Sequence, residues 1–191
     1  MSMLLLGLIL FLAVHSISIV SESWRDRQVA KLGEGPWKGL YSLASLAGFG
    51  LIVWGYGLAR YDPVLLYLPP VWLRHITVLL LVPVFPLLLA AYLPGRIQAA
   101  VQHPMLAATK LWAFAHLLAN GMLADVLLFG AFLAWAVVDR ISMKRRLPHP
   151  VLGAPPSKWN DLIAVTGGLA LYVAFVLWLH TWLIGVPPIG G

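Results

Sequence analysis

Residues 37–59, WKGLYSLASLAGFGLIVWGYGLA, decide the fold because they form an apolar run long enough to cross a bilayer as one helix. Pro36 comes directly before this run, where the first turn of a helix tolerates proline. Ala44, Gly48 and Gly55 fall on one helical face, and small residues on a shared face let membrane helices approach closely. The run therefore predicts a transmembrane helix that packs tightly against another.

The rest of the chain has the same apolar character. Of its 191 residues, 61% are hydrophobic and 10% are charged, and the mean hydropathy is +0.87. A soluble domain carries about 25% charged residues, so this chain lacks the charge to cover a surface in water. The sequence contains no cysteine, which excludes disulfides and thiolate sites. We predict an all-α integral membrane bundle of about six transmembrane helices, one domain over residues 1–191, with spans at 3–20, 37–59, 71–93, 104–119, 122–138 and 162–186.

The basic residues are distributed unevenly along these spans. Ten of the thirteen Lys and Arg residues follow the first, third and fifth spans: Arg25, Arg27, Lys31, Lys38, Arg96, Arg140, Lys144, Arg145, Arg146 and Lys158. Cytoplasmic loops of membrane proteins carry such an excess. The pattern predicts a bacterial inner-membrane protein with both termini on the non-cytoplasmic side. It also explains the net charge of +6 by contact with membrane lipids, with no nucleic-acid partner.

The first span contains a polar stripe. His15 lies within it, and Ser18, Glu22 and Arg25 follow at +3, +7 and +10, which places them on one face of a continuous helix. Polar groups inside a membrane are costly, so each one needs a partner or a function. The stripe predicts a polar path that leads from His15 to the cytoplasmic edge.

A second group of polar side chains lies in the fourth span. Trp112 and Asn120 share the helical face of His116, and His103 precedes Pro104 at the start of the same helix. Neutral imidazoles on facing helices are good axial ligands for haem iron. Without cysteine to tether it, such a haem would be haem b.

The residues leave the ligand pair open: His15 and His116 lie deepest in different helices, whereas His103 matches His15 better in depth. His180 is a further alternate. Arg25, Arg27 or Lys31 would meet the haem propionates at the cytoplasmic edge. The ordinary alternative for each histidine is a hydrogen bond to a neighbouring helix.

Three other polar residues have simple structural explanations. Asp125 is expected to cap the fifth helix or to pair with Arg74, and orienting a histidine is a third alternative. Lys110 is expected to extend its side chain to the cytoplasmic interface, and the alternative is that it faces a polar cavity with His103 and Glu22. His149 lies in a basic loop, where we expect water to solvate it.

Several motifs resemble those of the NnrU membrane-protein family. The clearest is HPMLAATKLWAFAHLLANG at 103–121. The others, in chain order, are FLAVHS at 11–16, LGEGP at 32–36, DRISMKRR at 139–146 and WLHTWLIGVP at 178–187. The resemblance covers nearly the whole chain.

The resemblance implies a function as well as a fold. Bacterial members are named from an association with nitrogen-oxide metabolism. A related plant enzyme, 15-cis-zeta-carotene isomerase, is a haem b protein that isomerises a carotenoid double bond. Its His-Ser-Gly motif is similar to His15-Ser16 with Ile17 in place of glycine, and its Arg-His-Pro motif is similar to Gln102-His103-Pro104. The resemblance implies haem ligation by His15 and His116 and a redox or isomerase-like role on a lipophilic substrate.

Two other functional classes are compatible with the sequence. The His103-Pro104 segment also resembles integral-membrane methyltransferases that bind S-adenosylmethionine. An accessory factor of a respiratory or denitrification complex would need no site of its own. A homo-oligomer is compatible with both of these functions.

Overall fold

The computed structural model describes residues 1–146 and 153–189, and these residues form helices and no strand. The described residues group into two compact units, one of residues 1–67 and 121–146 and the other of residues 68–120 and 153–189. Unit 1 contains α1 Ser2–His15, α2 Ile17–Leu32, α3 Glu34–Ala59 and α8 Leu123–Ser142. Unit 2 contains α4 Trp72–Leu81, α5 Val84–Ala90, α6 Arg96–Val101, α7 Pro104–Ala119, α9 Asn160–Ala174, a π-helical turn Phe175–Leu179 and α10 His180–Ile184.

Unit 1 is built on a close contact between α1 and α3. A Cβ atom added at Gly55 would lie 2.2 Å from the backbone N of Leu4, and one added at Gly48 would lie 2.8 Å from the backbone N of Phe11. From the other side, a Cβ at Gly7 would lie 2.5 Å from the backbone N of Ile52. The two backbones therefore touch, which confirms the small-residue face predicted for α3 at Gly48 and Gly55.

A buried carboxylate joins α3 to α8 at one end of unit 1. The Tyr56 hydroxyl donates to Asp125 Oδ1 over 2.6 Å, and the Met122 N–H donates to Asp125 Oδ2 over 3.1 Å. Asp125 is only 5% exposed, so these hydrogen bonds offset the cost of burying its charge. The predicted cap of α8 is confirmed. Both carboxylate oxygens of Asp125 thus have partners within unit 1.

The N-terminal segment differs from the predicted single span. α1 ends at His15, α2 runs at 53° to it, and Ser21 has non-helical angles (φ −155°, ψ 89°) inside α2. The prediction that Ser18 and Arg25 continue the helical face of His15 is therefore wrong, because a face projected at 100° per residue does not pass through two breaks. No residue pattern in the sequence marks these breaks, because residues 3–20 contain neither proline nor a pair of glycines.

In unit 2 the predicted third span is broken at proline. α4 and α5 are separated at Val82–Pro83, and the Val82 N–H turns back to the Leu79 carbonyl over 3.3 Å. The carbonyl of Val78 thereby loses its helical donor and accepts a 2.7 Å hydrogen bond from the hydroxyl of Tyr172 on α9. A neighbouring helix thus satisfies the carbonyl that the break frees, as membrane helices require.

Two more contacts hold the helices of unit 2 together. A Cβ at Gly168 of α9 would lie 2.3 Å from the backbone N of Pro86 in α5, so these helices touch at backbone distance. The Thr77 hydroxyl of α4 donates to the Ala115 carbonyl of α7 over 3.0 Å. Asp161, at the start of α9, accepts the backbone N–H groups that begin α6. α6 has no counterpart among the predicted spans.

The number of candidate spans is smaller than the predicted six. By length and composition, Glu34–Ala59, Trp72–Ala90 and Asn160–Ile184 can cross a membrane, and the bent pair α1–α2 makes a fourth if it is one span. α7 matches its predicted range but is only about 24 Å long at 1.5 Å per residue, less than a ~30 Å hydrocarbon core. α8 carries Asp125, Asp139 and Arg140 near its ends. The described chain is all-helical with three to four candidate spans.

The α1–α3 contact gives the first prediction. Gly55→Ala should lower the free energy of unfolding by about 1–3 kcal/mol, because the added methyl group meets the Leu4 backbone rather than a movable side chain. Thermal unfolding of the purified protein in detergent measures the change. Gly57→Ala is the matched control, since nothing lies within 4 Å of its Cβ position. Equal unfolding temperatures for the two variants would contradict the packing described here.

Candidate functional site

His15 is held by the helix that it ends. Its Nδ1 lies 2.7 Å from the carbonyl oxygen of Phe11 on the preceding turn of α1. A carbonyl only accepts, so Nδ1 carries a proton, and Nε2 is the nitrogen whose lone pair a metal ion would bind. The same hydrogen bond that satisfies the ring also sets the tautomer and orientation that a metal-binding imidazole needs.

Aromatic rings from three helices surround the His15 imidazole. The Phe11 ring stacks on it with centroids 4.1 Å apart, and the rings of Tyr41 on α3 and Trp135 on α8 present their edges at 5.3 and 6.1 Å. Phe132 lies one turn before Trp135 and contacts Phe11 at 5.6 Å. We call the set formed by His15, Tyr41, Ser45 and Trp135 the histidine layer.

The histidine layer contains two buried donors that make no hydrogen bond to the described part of the chain. They are the indole Nε1 of Trp135 and the hydroxyl of Ser45. Ser45 lies one turn beyond Tyr41 on α3, between it and the Gly48 contact with Phe11. Buried polar groups in folded proteins nearly always have a partner, which can be water or a ligand.

A buried ion pair lies next to the histidine layer. Asp139, one turn beyond Trp135 on α8, pairs with Arg146, and their side chains are only 10% and 17% exposed. The Ser142 hydroxyl donates to the Asp139 carbonyl over 2.8 Å, and Tyr41 lies within electrostatic range of the Asp139 carboxylate. On α2, Arg25 pairs with Asp26 at 3.1 Å and Glu22 at 3.8 Å.

His116 in unit 2 repeats the arrangement of His15. Its Nδ1 lies 2.8 Å from the carbonyl oxygen of Trp112, and the two rings are tilted at 5.4 Å between centroids. The Asn120 amide donates to the His116 carbonyl over 2.8 Å and ends α7. The structure therefore brings together the three residues that the sequence placed on one face of this helix.

His103 follows a residue with an unusual backbone. Gln102 has φ +64°, the left-handed region that favours glycine, and it links α6 to His103 and Pro104 at the start of α7. An open depression of about 570 Å³ lies beside this turn, lined by Pro94, Gly95, Gln98, Ala99, Gln102 and Pro156. Strained residues that persist in a fold often border functional sites.

The remaining histidines have other surroundings. The Nδ1 of His180 lies 2.6 Å from the carbonyl of Val186, which ties α10 to the segment that follows it. His75 is exposed on α4. His149 lies outside the described residues. Within residues 1–146 and 153–189, no three His, Asp or Glu side chains are grouped as they would be around a bare metal ion.

A family model described as NnrU protein matches residues 3–188, which is nearly the whole chain. The chain belongs to the NnrU family. No curated protein and no solved structure matches it. The sequence-based identification of the family is thereby confirmed, and the apolar helices of this NnrU chain are consistent with a membrane protein.

The predicted site residues of the NnrU chain divide between the two units. His15, Ser18 and Arg25 lie in unit 1, whereas Trp112, His116, Asn120 and the alternates His103 and His180 lie in unit 2. Sequence reasoning missed Tyr41, Ser45 and Trp135, because an aromatic or serine in a span resembles ordinary packing. Their spacing gave one usable signal, since Tyr41 and Ser45 share the helical face of Gly48.

The ion pair gives the second prediction. Asp139→Asn should lower the free energy of unfolding by about 3 kcal/mol, because it leaves a buried guanidinium without its counter-charge. Chemical denaturation of the purified protein measures the loss.

The matched control removes an exposed ion pair. Glu34 and Lys38 pair at 2.8 Å with side chains 75% and 64% exposed, so Lys38→Gln should leave stability unchanged. If the two substitutions had the same effect, Asp139 and Arg146 would not form a buried pair in solution.

Proposed function

We propose that this NnrU-family protein is a membrane protein that binds haem b through histidine. The observation that carries the proposal is His15, whose Nδ1–H is fixed on the Phe11 carbonyl so that Nε2 is the ligand atom. Neutral imidazole in this tautomer is the usual axial ligand of haem iron. The hydrogen bond to a backbone carbonyl also increases the basicity of a ligating ring.

The surroundings of His15 fit a porphyrin chemically. Phe11, Tyr41 and Trp135 supply aromatic surface, and apolar rings suit the apolar faces of a haem. Arg25, engaged with Glu22 and Asp26, supplies positive charge for a propionate in the same unit. Ser18 lies in α2, beyond the helix break, so in this proposal it lies only at the edge of the residues around His15.

We propose His116 as the second ligand, with His103 and His180 as alternates. The Nδ1 of His116 is fixed on the Trp112 carbonyl just as that of His15 is on Phe11. Trp112 and Asn120 would then be positioning residues, since they orient the ring and the end of α7. The hydrogen bond of His180 belongs to an exposed turn, which makes it the weaker alternate.

Haem held in this way would supply one-electron redox chemistry and an electrophilic iron. The chain itself would bind the group, fix the imidazoles and keep water from the site with aromatic side chains. A redox or isomerase-like role on a lipophilic substrate, or a role in nitrogen-oxide metabolism, agrees with those properties. A lipophilic substrate would reach such a site from the bilayer, where apolar side chains such as Leu46 are exposed.

The proposal includes the membrane arrangement. We place six spans in a bacterial inner membrane, with both termini on the non-cytoplasmic side, because the basic residues cluster after the odd-numbered spans. α7 and α8 would complete the count as separate spans on either side of Asn120-Gly121. Lipids are then the main partner, and a homo-oligomer is compatible with the exposed apolar faces.

Absorption spectra test haem binding. The purified chain, expressed with added haem, should show a Soret band and the sharp visible bands of low-spin haem after reduction with dithionite. His15→Ala and His116→Ala should each weaken haem binding at least tenfold or convert the iron to the high-spin state, because each removes one axial ligand.

His75→Ala is the control, since this histidine is exposed on α4 and should leave the spectrum unchanged. A wild-type protein without a Soret band after haem supply would overturn the proposal. A normal spectrum for His116→Ala and a changed one for His103→Ala or His180→Ala would reassign the second ligand.

One observation favours a second candidate function. The strained Gln102 and the open depression beside it adjoin His103-Pro104, the segment similar to S-adenosylmethionine-dependent membrane methyltransferases. If the chain is such an enzyme, S-adenosylmethionine should raise its melting temperature, as any ligand of the folded state does. No shift at millimolar cofactor would exclude this candidate.

A further inference from the structure

The histidine layer contains two buried donors that no described residue accepts from. Trp135 Nε1 can only donate a hydrogen bond, and the buried Ser45 hydroxyl likewise has no acceptor among the described residues. A buried donor left without an acceptor costs about as much as a hydrogen bond contributes. Both atoms therefore mark a place for an acceptor that the described residues do not supply.

We propose that the histidine layer of unit 1 binds a carboxylate group through the indole N–H of Trp135 and the hydroxyl of Ser45. The Trp135 ring lies 6.1 Å from the His15 ring, and Ser45 lies one turn from Tyr41, whose ring is 5.3 Å from that of His15. Trp135 on α8 thus borders the imidazole directly, and Ser45 lies on α3 one turn from Tyr41, the other ring that borders it.

A carboxylate fits better than a phosphate because the donors are neutral. A phosphate with nearly two charges would need several Arg or Lys side chains to offset its desolvation. The Arg146 guanidinium is already paired with Asp139, which lies one turn beyond Trp135, and this pairing weakens the repulsion that Asp139 would exert on a single negative charge. One carboxylate, with two oxygens that each accept hydrogen bonds, matches an indole N–H and a hydroxyl.

Two sources can supply a carboxylate in a membrane. One is a propionate of the proposed haem, in which case the inference rests on the proposed function and names the residues that hold the propionate. The other is a free fatty acid from the bilayer, which needs no iron. The chemistry at Trp135 and Ser45 is the same, so the experiment separates the sources by their ligands.

The test titrates the full-length protein in nanodiscs with four ligands. Haem and haem dimethyl ester differ only in whether the propionates can ionise, and laurate and methyl laurate differ in the same way. Absorbance follows the two haems, and calorimetry follows the two lipids. The variants are Trp135→Phe, which keeps an aromatic ring, and Ser45→Ala.

Matched controls carry the same substitutions at exposed positions. Trp182 is 79% exposed in unit 2, and Ser42 is exposed on the same helix as Ser45. Trp182→Phe and Ser42→Ala should bind every ligand as the wild type does. Melting temperatures of all four variants identify any loss that comes from unfolding, and Ser45→Ala remains informative if Trp135→Phe does not fold.

If the carboxylate is a propionate, Trp135→Phe should weaken haem binding about tenfold, and Ser45→Ala should weaken it by a smaller factor. Haem dimethyl ester should bind the wild type and both variants equally. Alternatively, haem binds the wild type and both variants equally, but laurate binds the wild type tenfold more tightly than Trp135→Phe. The carboxylate then belongs to a fatty acid, and the inference still holds.

Equal binding of all four ligands to the wild type, Trp135→Phe and Ser45→Ala would overturn the inference, because water would then be what satisfies the two donors. The proposed function fails separately. A wild type that binds no haem removes the haem assignment, and the laurate titration alone then decides whether the carboxylate site exists.

Discussion

The backbone contact between α1 and α3 is the constraint on which unit 1 depends. Glycines at 7, 48 and 55 remove the side chains that would hold the two helices apart, and each backbone fills the space left on the other. Because lipid offers no hydrophobic drive for helix association, such contacts supply much of the packing free energy. The same approach brings the end of α1, and therefore the His15 ring, beside Tyr41 of α3.

Much of the fold follows from the sequence because apolar run length is a strong signal. The predicted range 104–119 coincides with α7, and the ranges predicted for α3 and α8 differ from the structure by a few residues at their ends. The proline break of α4–α5 was also predictable, since proline lacks the N–H that a helix requires. The small-residue face of α3 predicted that another helix packs closely against it, but it did not indicate which helix.

The parts that could not be predicted depend on contacts distant in sequence. Tyr56 and Asp125 meet across two helices, and the side chain that donates to Asp125 could not be chosen before α3 and α8 were placed together. The bend after His15 has no proline or glycine to announce it. His15 was identifiable from the sequence as a lone imidazole in an apolar run. Trp135 became a candidate site residue only when the structure placed its ring against that of His15.

The hydrogen bond from Tyr172 to Val78 makes the stiffness of the α4–α5 break depend on α9. Without this hydrogen bond the proline break would be flexible, since the Val78 carbonyl would have no donor in its own helix. With the phenol in place, bending at the break requires α9 to move as well, and any displacement of α9 would change the angle between α4 and α5. The α4–α5 break and α9 are thus expected to move together, although 94 residues separate Val78 from Tyr172.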